Sequence, residues 1–87
     1  MDEVKRVIIE WWLRKVLLPF LGRRFPDFLQ AVCQDLGFSE RDKRLIYLRY
    51  TLKKGWKEIA SLICVEERQV HNLHKNCIYK LTLLQNQ

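Results

Sequence analysis

Trp56-Lys-Glu-Ile-Ala-Ser-Leu-Ile-Cys-Val-Glu-Glu-Arg-Gln-Val-His-Asn-Leu-His-Lys-Asn-Cys-Ile-Tyr-Lys-Leu81 decides how this chain folds. Ile59 and Ile63 lie four apart with Trp56 one turn earlier, which gives a short helix from Trp56 to about Ile63 with one buried face. Ala60 is small where two crossing helices approach, and Val65 plugs the corner between them. A second helix starts near Glu66 or Glu67 and runs to about Leu84. Its apolar stripe is Val70, Leu73, Cys77, Leu81 and Leu84, at helical spacing. Only about Cys64 and Val65 separate the two helices, the outline of a helix-turn-helix. The face opposite the stripe carries Glu67, Arg68, His71, Asn72 and Lys75 toward solvent.

Upstream, helix formers dominate and no stretch alternates apolar and polar residues as a half-buried strand does. The first helix spans about Asp2 to Leu18, with Asp2 and Glu3 at its positive end. Gly22 and Arg23–Arg24 read as a break. Pro26 suits the first turn of a second helix that Gly37 closes. Ser39 caps a third helix, with Asp42 placed to complete a box-like cap and Leu45, Ile46, Leu48 and Leu52 as its buried stripe. Lys53-Lys54-Gly55 forms the next loop. The expectation is an all-α, five-helix domain: an N-terminal helical pair in residues 1–37 for packing, dimerisation or partner docking, and a helix-turn-helix unit in 38–87.

The chain has 87 residues, 48% of them hydrophobic, with three Gly and two Pro, so it carries enough apolar material for one small core. That excludes a disordered or collagenous chain. Sixteen Lys and Arg against ten Asp and Glu give a net charge of +6, which favours a polyanionic partner. Residues 1–38 hold six basic and five acidic side chains, residues 39–87 ten and five, so the positive field belongs to the helix-turn-helix half. Three cysteines, an odd number with no Cys-x-x-Cys pair and no secretory signal, point to free, buried thiols and a cytoplasmic protein. Glu10, Arg14, Lys15 and Pro19 interrupt the apolar stretch from Val7 to Leu21, which argues against a membrane span.

The segment resembles the fourth conserved region of bacterial sigma factors, and the small phage-encoded activators of the RinA and ArpU type. The likeness runs without a gap from Trp56 to Leu81, through Glu58-Ile59-Ala60, Val65, Val70, Leu73, Cys77 at the family's usual Ala, and Lys80-Leu81. It extends upstream over Phe38-Ser-Glu-Arg-Asp-Lys-Arg-Leu-Ile-Tyr-Leu-Arg-Tyr50. Residues 1–37 carry no motif of the family. Three departures stand out: Cys64 replaces the usual turn Gly, Glu66 the usual Ser or Thr cap, and Gln69 an Arg common near the start of the recognition helix.

The resemblance implies binding of double-stranded DNA, with Glu67, Arg68, His71 and Asn72 toward the bases and Lys75 nearer the phosphates. Side-chain chemistry agrees: Arg forks onto guanine O6 and N7, Asn onto adenine N6 and N7, and Glu accepts from cytosine N4. Lys53, Lys54 and Lys57 suit the phosphate backbone. The plain alternative is an ordinary solvated helix face. His71, His74 and Cys77 recur every three residues, but Cys77 falls on the buried stripe and His71 on the exposed one, against a zinc site. No catalytic constellation or phosphate loop is present, so neither an enzyme nor a cofactor is expected.

Trp11 and Trp12, with Val7, Ile8, Ile9, Leu13, Val16, Leu17 and Leu18, make the first helix apolar around most of its circumference. It is either a well-covered central helix or a surface for a homodimer or for RNA polymerase. Sigma-like domains dock the flexible flap of the polymerase β subunit in an apolar cleft; the matching region here is the third helix, with Leu45, Ile46, Tyr47 and Arg49. The expected work is sequence-selective DNA binding that regulates transcription in a bacterium or phage-infected cell. The rivals are a polymerase- or sigma-binding module with little DNA affinity, and a DNA-packaging or recombination accessory.

Overall fold

The computed structural model describes residues 3–84, apart from the side chain of Leu84, so the expected helix start at Asp2 and the place of Leu84 in the apolar stripe lie outside the described residues. Five helices account for the architecture, with no strand among the described residues. They are α1 (residues 3–24), α2 (Pro26–Asp35), α3 (residues 40–51), α4 (Trp56–Leu62) and α5 (Glu67–Leu84).

α1 is longer than its sequence suggests. It widens at Leu13–Leu17, where the Leu18 N–H donates to the Leu13 carbonyl five residues back, and then continues to Arg24. Pro19 explains the widening: it has no N–H to donate, and its ring excludes the carbonyl four residues earlier. Gly22, expected in a break, is a buried helical residue. A Cβ on it would lie 2.3 Å from the Tyr50 carbonyl oxygen, so glycine is there to let α1 and α3 touch backbone to backbone. The chain turns instead at Phe25 (φ −136°, ψ 59°), directly before Pro26 at the first position of α2.

α2 closes in a left-handed cap. Gly37 has φ +79°, its N–H donates to Gln34 at 3.0 Å, and the Phe38 N–H reaches back to Cys33 at 3.0 Å. Ser39 then caps α3 by accepting the Asp42 N–H at 3.1 Å. The expected reciprocal bond is missing at Asp42 Oδ1, which is buried without a partner. α3 ends in a second wide turn over Tyr47–Thr51, with the Leu52 N–H donating to Tyr47 at 3.1 Å. One extra residue in that turn rotates the downstream residues by about 100°. Leu52, expected in the buried stripe, is therefore 45% exposed, while Tyr50 is buried.

The core draws on every helix. Leu13, Leu18, Leu29 and Cys33 join Leu45, Ile46, Leu48, Ile59, Val70, Cys77, Ile78 and Leu81 in one buried cluster. On α5 the buried face is Val70, His74, Cys77, Ile78, Leu81 and Thr82, with Leu73 at its edge. This face is broader than the expected stripe and includes two polar residues. Burial pushes the Cys33 thiol up to about 11 and the Cys77 thiol up to about 12, with Asp42 adding to both. Cys64 is exposed.

Candidate nucleic-acid interface

The turn that joins α4 to α5 has a second left-handed cap, built without glycine. Cys64 sits at φ +61°, its N–H donates to Ser61 at 3.3 Å, and the Val65 N–H donates to Ala60 at 3.0 Å. This is the bond pattern of the Gly37 turn. Ala60 and Ile59 are buried behind the corner, Val65 is partly so, and the Glu66 carbonyl accepts the Val70 N–H at 3.1 Å to start α5. The first two turns of α5 are thus fixed from below by Val70 and His74.

The outward side of those turns carries Glu67, Arg68, Gln69, His71, Asn72 and Lys75, all exposed. Glu67 and His71 approach each other, Oε1 to Nε2, at 3.9 Å. The backbone-contact candidates lie on neighbouring elements. Lys53 is exposed in a left-handed conformation (φ 57°) after α3, and Lys57 is exposed in the first turn of α4. Lys54 is half-buried and pairs with Glu58 at 3.6 Å, so it is a weaker candidate for phosphate than the other two.

Behind His71 is a polar and aromatic cluster that the sequence did not disclose. Tyr50 Oη and His74 Nε2 share a buried hydrogen bond of 2.6 Å. The Trp56 ring stands edge-on to His74 at 4.7 Å and lies 5.0 Å from His71. The Arg49 guanidinium covers Trp56 at 4.1 Å and donates to the Lys54 carbonyl at 3.0 Å. Burial, followed by repulsion from Arg14, Arg49 and His71, lowers the His74 pKa to about 4, so this imidazole is neutral in the fold. Burial likewise pushes the Tyr50 hydroxyl well above its ordinary value.

This cluster floors a cleft of about 480 Å³ between α1 and α5. α1 supplies Glu10, Arg14 and Lys15; α5 supplies His71, His74, Lys75 and Ile78; Arg49, Tyr50 and Trp56 close it. Arg14 and Lys15 were absent from the expected site because nothing in the order of residues joins positions 14 and 15 to position 75. A faint signal existed: both interrupt the most apolar stretch of the chain.

The expected docking residues divide. Leu45 and Ile46 are fully buried in the core and offer no partner any surface, because α3 points them inward between the other helices. Arg49 is committed to Trp56 and Lys54. Tyr47 is exposed, as are Trp11 (53%) and Trp12 (38%), which continue an uncovered apolar stripe through Val4, Val7 and Ile8. No residue of Glu3–Trp12 is fully buried. Among the described residues no three or more His, Cys, Asp or Glu side chains converge as a metal site would need, and no helix is long and apolar enough to cross a membrane. Set beside known proteins, the chain matches no family model, no curated protein and no solved structure.

Proposed function

We propose that the chain binds double-stranded DNA sequence-selectively through α5, as a sigma region-4-like helix-turn-helix, and regulates transcription in a bacterium or bacteriophage. One observation supports this above the rest. The polar face at the leading end of α5, with Arg68, His71 and Asn72 exposed, stands on buried Val70 and His74, and the preceding loop and α4 carry exposed Lys53 and Lys57. A helix end braced from behind with forked donors outward suits a major groove, and exposed lysines on the preceding elements suit phosphates. On this reading Arg68 and Asn72 select bases, and the lysines fix register on the phosphates.

Selection from a pool of random duplexes tests it. The expected result is an enriched site whose binding weakens by about 1–3 kcal/mol in each of Arg68→Ala and Asn72→Ala, one bidentate base pairing apiece. Failure to enrich any site, or an affinity indifferent to both substitutions, rejects base reading by α5. A second reading, a module that docks RNA polymerase or another sigma factor, is favoured by the uncovered stripe on α1, where Trp11 and Trp12 stand in solvent.

A further inference from the structure

The α1–α5 cleft shares His71 and Lys75 with the outward face of α5 but adds cations from α1 and α3. Four cations border it: Arg14 and Lys15 from α1, Arg49 from α3 and Lys75 from α5. Its single carboxylate, Glu10, is already approached by Arg6 at 4.0 Å. Among the described residues, Arg14, Lys15 and Lys75 form no ion pair, and all three are exposed. Like charges gathered around one hollow repel, and an anion entering it relieves that repulsion.

Arg49 is set in place beforehand by the Trp56 ring and the Lys54 carbonyl. The Trp56 ring is occupied by Arg49 and both histidines, which leaves no open aromatic platform for a nucleobase. What remains is a hollow of about 480 Å³ rimmed by forked and point-charge donors, the chemistry that holds a phosphate oxyanion.

We propose that this cleft is a phosphate-binding site, with Arg14 and Lys15 of α1 and Lys75 of α5 as its clamp, and that the phosphate belongs to the backbone of the duplex whose bases meet Arg68 and Asn72. This rests on the reading of α5 as the groove-entering helix. It gives α1 a task that the helix-turn-helix pattern does not contain: affinity without sequence information, delivered from the opposite side of His71. The same oxyanion chemistry is offered by free phosphates, and the test separates the two sources.

Binding of a random-sequence duplex is measured across a salt series for the intact chain, for Arg14→Gln/Lys15→Gln, and for Arg23→Gln/Arg24→Gln, which removes the same charge at residues outside the cleft. In a second arm inorganic pyrophosphate is titrated at constant ionic strength while the His71 ring signals are followed by NMR. The slope of log affinity against log salt should become shallower by about one in the cleft variant, and by less than half as much in the control. Pyrophosphate should shift His71 saturably in the intact chain and not in the cleft variant. Lys15→Gln alone, at an exposed position, should give about half the slope change and guards against a folding defect in the double variant. Equal slope changes in both double variants, with no pyrophosphate effect that depends on Arg14 and Lys15, overturn the site while leaving DNA binding intact. An intact chain that binds no duplex at low salt defeats the DNA reading. A saturable pyrophosphate shift would then still support the phosphate site with a free phosphate as its ligand, and its absence would reject both.

Discussion

Replacing Gly22 by alanine sets two rules of helix energetics against each other. In an open helix interior the exchange stabilises by up to about 1 kcal/mol, because glycine is the poorer helix former. Here the new Cβ would meet the Tyr50 carbonyl oxygen at 2.3 Å, its carbon at 2.5 Å and its Cβ at 2.8 Å, where ordinary contact begins at 3.4 Å. Two of those three atoms are backbone within a helix, so no rotamer change relieves the clash and α1 must move from α3 by about 1 Å. Overpacking of this kind costs about 1–3 kcal/mol. The same movement pulls on the 2.6 Å bond between Tyr50 and His74, worth about another 1 kcal/mol. With the propensity gain subtracted, the net loss is about 2 kcal/mol, or roughly 8–16 °C in melting temperature for a domain this small. Urea denaturation at neutral pH reads it as a lower midpoint at unchanged slope. Gly55→Ala serves as the control: its Cβ would meet nothing within 4 Å, and the change costs about 0.5 kcal/mol at a helix cap. A Gly22→Ala chain as stable as the original, or more so, would refute the close approach of α1 and α3.

Cys64→Gly should stabilise by about 1 kcal/mol, read as a raised denaturation midpoint, because the left-handed turn then carries no side chain. In the unsubstituted chain the exposed Cys64 thiol should be the first of the three to react with an aromatic disulfide reagent in the native state, while buried Cys33 and Cys77 wait for denaturant. His74 is faced by Tyr50, Trp56, Arg14, Arg49 and His71, and is neutral in the fold down to about pH 4, whereas the unfolded chain protonates it near 6.5. The unfolded state therefore holds the extra proton between those limits, and stability falls by up to about 3 kcal/mol as pH drops from about 6.5 to about 4. A His74→Gln chain should show a flatter pH profile of the denaturation midpoint across that window. Leu45→Ala should cost about 2–5 kcal/mol of stability, the signature of a core position, in thermal melts.

Most of the helix boundaries were legible because they depend on local chemistry. Pro26, Gly37 and Ser39 each act through their own backbone, and each sits where its type requires. Periodicity also separated Val70, Cys77 and Leu81 from Arg68, His71 and Asn72. It failed where the cause was distant in sequence. Gly22 signals a chain break as readily as a helix contact, and only Tyr50 on α3 decides between them. Leu52 lost its place because a wide turn inserts one residue into the helical count. His74 and Thr82 escape an apolar stripe because such stripes exclude polar types, although a hydrogen bond to Tyr50 makes His74 a core residue. The cleft was illegible for the same reason as Gly22, since Arg14, Arg49 and Lys75 meet only after three helices have packed.

The backbone contact at Gly22 bears on how portable the C-terminal unit is. A fragment beginning at Phe38 would retain the corner at Cys64 and the whole of α5, yet would lose Leu13, Leu18, Leu29 and Cys33 from a shared interior. Tyr50, against which Gly22 packs, and Cys77, which lies near Cys33, would then lose that cover. Grafted onto another scaffold, such a piece would need a replacement for α1 shaped to lie flush against a main chain.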